Sequence, residues 1–307
     1  MQPFMREART VLCDWGGSRL RAYLQVGDNI IARREGPGIG RLTAPAIDTL
    51  RETLEPWRDA GFDRIVACGM IGSRNSIVEV PYVQAPAGWT GWSAASQRVA
   101  PRAGDAPLLI AAGIRAENFA GAPDVMRGEE TQIFGAISCD ESLARGRHML
   151  LLPGTHSKWV EIDDGSIITV QTFITGELFA VLRDHSSLLR AGDSGEPAGD
   201  GFTAGHARAC RSGLADSLFE TRAAQLTQSR PRAWASEYLS GLLIGDEAIA
   251  VLRSRSLSSV VLIGESALTV RYREVLSVHS IATTSLDGDL CAVAGLSLLA
   301  AQHRSAY

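Results

Sequence analysis

Thr10-Val11-Leu12-Cys13-Asp14-Trp15-Gly16-Gly17-Ser18 runs an apolar strand into a turn of small residues, with a carboxylate at the junction. Two more strands follow, Leu20 to Val26 and Asn29 to Arg34, joined by Gly27-Asp28, so the chain opens as a meander. A helix is expected over 45–60, with Ile47, Leu50, Leu54 and Trp57 on one face and a break at Pro56, before Arg64 to Met70 returns as a buried strand. Strand-strand-strand-helix-strand is the order of a mixed sheet with helical cover, not of a doubly wound dinucleotide fold.

A second unit repeats the opening. Met149 to Leu152, Lys158 to Ile162 and Ser166 to Phe173 read as strands, with Asp163-Asp164-Gly165 as a hairpin turn and Pro153-Gly154-Thr155-His156-Ser157 as a second small-residue turn. Two such openings point to an internal duplication. Between them lies a Pro-, Gly- and Trp-rich stretch, 81–121, with a short strand at Pro107 to Ala112, and then a helix that starts at Glu129. Beyond them, helices are expected over 176–190, 204–228 and 233–254, with a loose segment at Gly192 to Gly201. Val260 to Gly264 is one more buried strand, followed by a helix from Ala267, a strand near Val278 to Ala282 and a closing helix from Asp287.

A chain of 307 residues with a formal charge of −4 and 45% hydrophobic residues can build two cores and has no basic footprint for nucleic acid. Its five cysteines are odd in number and lack any C-x-x-C, which fits reduced thiols and a cytoplasmic location. No signal peptide is read in Met1 to Thr10, and the apolar run Cys291 to Ala301 is too short to span a bilayer. The six histidines show no H-E-x-x-H or similar spacing, so a zinc site is not expected.

Successive backbone N–H groups in a glycine turn can hold phosphate oxygens, and a carboxylate at a strand end can hold the water shell of Mg²⁺. Gly16-Gly17-Ser18 and Gly154-Thr155 are the candidate phosphate loops, and Asp14 the candidate metal group, although Asp is also an ordinary turn residue. Lys158 is the only lysine in the chain, which otherwise uses arginine throughout. Its place just after the second turn suggests a site where a compact ammonium is needed.

The segments Asp14-x-Gly16-x-x-x-x-Arg21, Gly128-Glu129-Glu130-Thr131-Gln132-Ile133-Phe134-Gly135, Gly154-Thr155 and Leu262-Ile263-Gly264-Glu265-Ser266-Ala267 occur in the order found in the actin, Hsp70 and sugar-kinase superfamily, which the chain resembles. Longer words make a closer resemblance to the 2-dehydro-3-deoxygalactonokinase family, over nearly the whole chain. They are Asp14-Trp15-Gly16; Cys68-Gly69-Met70-Ile71-Gly72-Ser73-Arg74 with Glu79-x-Pro81-Tyr82; Met126-Arg127-Gly128-Glu129-Glu130-Thr131-Gln132; Leu152 to Val160; and Thr175-Gly176-Glu177-Leu178-Phe179. Gly17 stands where that family usually has Thr, and Glu265 where the superfamily prefers a second glycine.

The resemblance implies an α/β, two-lobed actin-like (ribonuclease H-like) ATPase fold, each lobe a mixed sheet flanked by helices, with a cleft between the lobes. The lobes would be 1–125 and 126–307, the last helix (about 287–303) packing back on the first. It also implies ATP, Mg²⁺ and transfer to the 6-hydroxyl of 2-dehydro-3-deoxy-D-galactonate. Gly16, Gly17, Ser18, Arg21, Gly154, Thr155 and Gly264 would serve the nucleotide.

Glu129 is the candidate for the carboxylate that takes the hydroxyl proton, with Glu130 as the alternative; acids are also favourable at any helix start. Arg74, Arg127 and Lys158 are candidates for gripping the substrate carboxylate, although surface ion pairs are the commoner fate of an arginine. The expected partners are a small sugar acid and ATP, with neither nucleic acid nor membrane, and a homodimer is compatible with the chain. The same loops and acid helix also serve other sugar-acid kinases and exopolyphosphatase-like phosphohydrolases. A non-catalytic nucleotide-binding module is a third alternative.

Overall fold

The computed structural model describes residues 7–59, 61–74, 76–99, 105–189 and 199–303. The expected helix ends at Ala60 and Arg190, and most of the loose Gly192 to Gly201 segment, lie outside them. The chain packs as two units, one drawn from Met1–Arg147, Val160–Val170 and Leu286–Tyr307, the other from His148–Trp159 and Gln171–Ser285.

The first part of the chain folds as β1 (Arg9–Trp15), β2 (Arg19–Val26), β3 (Asn29–Pro37), α1 (Ala46–Leu54), β4 (Arg64–Gly69), β5 (Tyr82–Gln84), α2 (Trp89–Ala94), β6 (Gln97–Val99), β7 (Leu108–Ile110), β8 (Gly113–Glu117), β9 (Pro123–Met126) and α3 (Glu129–Cys139). It continues as β10 (Arg147–Leu152), β11 (Ser157–Asp163), β12 (Ser166–Phe173), α4 (Thr175–His185), α5 (Gly201–Ala209), α6 (Leu214–Ser217), α7 (Glu220–Thr227) and α8 (Arg232–Ser254). β13 (Ser259–Gly264), α9 (Ser266–Val278), β14 (Ala282–Asp287) and α10 (Gly288–Gln302) close it.

The first large sheet has the order β3-β2-β1-β4-β7-β6 and the second β12-β11-β10-β13-β14. Each therefore begins with an antiparallel meander whose first strand also pairs in parallel with a strand that arrives after a crossover, β1 with β4 and β10 with β13. This shared order is the expected duplication. β1 is flanked on both edges, so Val11, Leu12, Cys13 and Trp15 are fully buried instead of alternating with polar residues.

α1 stops at Leu54, and Pro56 turns the chain through a short 3₁₀ segment that buries Trp57. The stretch 81–121 builds a small sheet, β5-β8-β9, beside α2. Residues 126–147, grouped with the second lobe on sequence, pack in the first unit, where Gly135 of α3 and Gly295 of α10 bring the two helix backbones together.

Two expected elements differ. The helix expected over 204–228 is three helices, because the chain leaves helical geometry before Gly213, which caps α6 in extended conformation. The strand expected near 278 starts only at Ala282, since α9 runs to Val278 and ends in a left-handed Ser280, with Ser280 N–H donating to Ser277 O at 3.0 Å and Ile281 N–H to Leu276 O at 3.1 Å.

Candidate active site

In the first unit, the carboxyl ends of the parallel strands gather the candidate groups. Asp14 sits opposite Arg21 across β1 and β2, and the guanidinium donates to its carboxylate at 3.3 Å. The Cys68 thiol, beside Asp14 in the register of β1 and β4, donates to the other carboxylate oxygen at 3.7 Å. Burial pushes the Asp14 carboxyl above its usual range, Arg21 pulls it down, and Asp289 at the start of α10 pushes it up. Asp289 also pairs with Arg21 and Arg33, at 3.3 and 3.1 Å.

Gly16, Gly17 and Ser18 form the turn after β1, with Gly17 and Ser18 exposed. The carbonyls of Gly16 and Gly17 accept from the amides of Ile39 and Gly40, both at 3.0 Å, so the turn is braced from behind. A Cβ on Gly17 would meet nothing within 4 Å, so threonine would fit at this position.

Gly69, at the end of β4, has a φ of 87°, and a Cβ there would lie 2.6 Å from the Trp15 carbonyl oxygen. Gly128, with a φ of 115°, stands against Gly69, where a Cβ would be 3.1 Å from the Gly69 Cα. Only glycine permits this double approach, and it sets the start of α3 against the strand ends. Glu130 is wholly buried and accepts the Gly128 N–H on both oxygens at 2.8 Å. Burial and the neighbouring Glu129 charge push its carboxyl up to about 8. Glu129 is partly exposed and accepts the Arg127 N–H at 3.1 Å. Asp14 and Glu130 both act electrostatically on Cys68, whose thiol burial pushes far up.

The two candidate arginines behave differently. Arg74 is 85% exposed and pairs with Glu79 at 3.6 Å. Arg127 lies over the Tyr82 ring at 4.2 Å and donates through Nη2 to the Val80 carbonyl at 2.7 Å. Its Nη1 is buried without a hydrogen-bond partner among the described residues, next to Gly72, where a Cβ would come within 2.9 Å of it.

In the second unit, the turn between β10 and β11 carries Gly154 and Thr155. The Thr155 carbonyl accepts the Glu177 N–H at 2.9 Å, and His156 Nε2 meets the Glu177 carboxylate at 2.5 Å. Gly176, at the start of α4, fits so closely that a Cβ would collide with the Gly154 carbonyl. Along β11 successive residues face opposite ways. Ser157 and Trp159 point to Glu247, a buried acid of α8 that accepts from Trp159 Nε1 and Tyr272 Oη at 2.8 Å each, with Ser157 Oγ 2.9 Å from Tyr272 Oη. Lys158 points the other way, is buried, and donates to Thr172 Oγ1 at 2.8 Å.

Gly264 ends β13 beside Pro153, so this strand end and the second turn are neighbours. A cavity of about 210 Å³ opens in the same unit, bounded by Gly154, Gly176, Phe179, Ile244, Leu268 and Arg271. Arg271 closes one side through a bidentate pair with Glu237, at 2.6 and 2.9 Å. Its size and mostly apolar wall suit a flat aromatic ring.

The sequence reading brought out neither Asp289, Glu247, Thr172 nor the Arg271–Glu237 pair. Of the residues that close the second turn and its cavity, Gly176, Glu177 and Phe179 lay in a quoted word, Thr175-Gly176-Glu177-Leu178-Phe179. Asp289 and Glu247 look like ordinary helix-surface acids until the chain is folded.

Two sheets of one strand order, each with a small-residue turn between its first two strands, and an acid-bearing helix start at the strand ends define an actin-like ATPase fold of the phosphotransferase class. An activator of 2-hydroxyisocaproyl-CoA dehydratase from Clostridium difficile shares the fold at a TM-score of 0.52 and 10% identity, over 97% of this chain and 98% of that one. Residues 14–299 match the family described as 2-keto-3-deoxy-galactonokinase, and the chain belongs to that family. It is 33% identical to 2-dehydro-3-deoxygalactonokinase of Escherichia coli (strain K12), over 95% of this chain and 98% of that protein. A crystal structure of a Sinorhizobium meliloti protein assigned as a 2-dehydro-3-deoxygalactonokinase superposes with a TM-score of 0.84 at 31% identity, over 95% of this chain and 98% of that one. A kinase family implies ATP as the phosphoryl donor. Among the described residues, no helix is long and apolar enough to cross a membrane.

Proposed function

We propose that this chain moves the γ-phosphoryl group of ATP to the 6-hydroxyl of 2-dehydro-3-deoxy-D-galactonate, leaving ADP and 2-dehydro-3-deoxy-6-phospho-D-galactonate. The supporting observation is the Gly69–Gly128 contact, which places the α3 acids at the strand ends that carry Asp14. Phosphoryl transfer to an alcohol needs the hydroxyl oriented in line, a carboxylate for its proton, and charge compensation on the migrating group.

Glu129 is the proton acceptor in this reading, because it retains exposure to a substrate, whereas Glu130 is sealed in and turned onto Gly128. Glu130 then acts as a cap that fixes the start of α3. Asp14, 14% exposed at its side chain, fits a hydrated Mg²⁺, which takes one or two protein carboxylates and fills its other positions with water and phosphate. When bound, that ion supplies charge neutralisation on the phosphate oxygens. Arg21 holds the Asp14 carboxylate in place.

The amides of the Gly16-Gly17-Ser18 turn serve phosphate oxygens in the first unit, and those of Gly154 and Thr155 in the second. The 210 Å³ cavity takes the adenine, with Gly264 leaving Pro153 and the adjoining turn free of a side chain. Arg127 is the inner candidate for the substrate carboxylate, with its plane set by Tyr82 and Val80 and its Nη1 turned inward beside Gly72. Arg74, far more exposed, is the outer candidate for the same anion, and Lys158 adds a buried positive charge held by Thr172.

The test is mass spectrometry of products after incubation with ATP, Mg²⁺ and 2-dehydro-3-deoxy-galactonate beside its gluconate epimer. A singly phosphorylated galactonate product with equimolar ADP is expected. No ATP consumption with either acid, alongside orthophosphate release from polyphosphate, would overturn the reading in favour of a phosphohydrolase.

A further inference from the structure

α5 and α9 end side by side within the second unit, and each end carries ligand-type side chains. His206 lies one turn before Cys210 at the end of α5, and His279 caps α9, its backbone fixed by the bonds around the left-handed Ser280. The two Nε2 atoms are 3.2 Å apart, and Cys210 Sγ is 3.6 Å from that of His206 and 4.0 Å from that of His279.

Those separations are close to the edges of a tetrahedron around a metal ion. With Zn–N of about 2.0–2.1 Å and Zn–S of about 2.3 Å, tetrahedral geometry places two nitrogens about 3.3 Å apart and nitrogen and sulfur about 3.6 Å apart. His206 is 4% exposed, wedged against α8 where Gly245 makes room for its ring, so its direction is set by packing. Cys210 is exposed, which leaves solvent a path to the cluster.

We propose that His206, Cys210 and His279 form a mononuclear site for a borderline-soft divalent cation of the zinc type, with water in the fourth position. Two imidazole nitrogens and a thiolate suit such an ion and reject Mg²⁺, which demands oxygen, so the site is chemically separate from that of the nucleotide's cation. Glu274 of α9, which accepts from Thr203 Oγ1 at 3.3 Å, also acts electrostatically on His206. The linear spacing conceals the site, because His279 lies 69 residues beyond Cys210. The ion would clip the end of α5 to α9, whose Leu268, Arg271 and Tyr272 line the cavity.

The test titrates the chelator-treated full chain with Co²⁺. One Co²⁺ per chain should bind, with a sulfur-to-cobalt charge-transfer band and the intense visible bands of tetrahedral cobalt, both removed by Zn²⁺. Cys210→Ser should abolish the charge-transfer band, and His279→Ala should weaken binding by more than about tenfold. Cys139→Ser, which removes the other exposed thiol, should change neither. Zinc should raise the melting temperature of the parent chain but not of Cys210→Ser or His279→Ala. A parent chain without the band and without a zinc-dependent melting shift, or a band that survives Cys210→Ser, would overturn the site and leave a plain His206–His279 hydrogen bond.

Discussion

The Gly128 amide donates to both oxygens of the Glu130 carboxyl, which lies wholly inside the protein one residue from a second, partly exposed acid. Two adjacent glutamates thus occupy opposite environments at one helix start.

Glu130 ties folding stability to pH. Its native value of about 8 stands well above the ordinary 4.5, so between those limits the folded chain holds a proton that the unfolded chain has released. Stability from this group therefore falls as pH rises from about 4.5 to about 8. Glu130→Gln removes that slope, so its denaturation midpoint should gain on the parent's as pH is raised from 5 towards 8. Parallel midpoints across that range would show that Glu130 is ionised in the fold.

Glu129→Gln should lower turnover by about 10²-fold or more, with the circular dichroism spectrum and melting temperature retained. Glu130→Gln should cost less turnover, because it disturbs a cap and not the proton acceptor. A larger turnover loss in Glu130→Gln than in Glu129→Gln would exchange the two roles.

Gly176→Ala puts a methyl group against the carbonyl of Gly154, so the second turn has to move. An overpacked contact of this kind costs about 1–3 kcal/mol. The KM for ATP should rise by about tenfold with a smaller change in kcat, which steady-state kinetics would separate. An unchanged KM would dissociate this turn from nucleotide binding.

Glu247→Ala deprives the buried Trp159 Nε1 of its acceptor, while Tyr272 Oη keeps Ser157 Oγ at 2.9 Å. At about 1–3 kcal/mol for an orphaned buried donor, urea denaturation should register a loss of that size. Glu247→Gln, which keeps a side-chain oxygen as acceptor for the indole N–H, should lose less than Glu247→Ala, and equal losses would show that the Trp159 hydrogen bond is not what Glu247 contributes.

Lys158→Arg replaces a compact ammonium held at 2.8 Å by Thr172 with a longer fork in a buried position. Both kcat/KM and melting temperature should drop, and unchanged values of both would show that the lysine has no special task.

What could be read from the residues alone was what depends on local pattern. The apolar runs of β1, β4, β10 and β13 and the turn chemistry of Asp164-Gly165, both at positive φ, mark the two sheets without reference to anything distant. Asp14, Glu129 and the two turns stood out because each joins a strand or helix end to small residues. Asp289 could not be found that way, since its pairing with Arg21 depends on α10 returning to the first sheet. The zinc-type cluster was hidden for a similar reason, its third ligand coming from another helix. α5 to α7 were read as one helix because their apolar spacing continues across Gly213, and a backbone turn leaves only a faint trace in such a pattern.

Gly135 and Gly295 seat α3 against α10, and Gly205 and Gly241 seat α5 against α8, each glycine facing a carbonyl of the partner helix with no room for a methyl group. None of the four belongs to the proposed chemistry, yet any side chain there forces two helices apart. A screen that scores only lost activity would place these positions beside Asp14 and Glu129 and draw a spurious second site. Soluble yield measured on the same variants would separate the two groups, because a chain with defective chemistry still accumulates, whereas one whose helices cannot close is cleared.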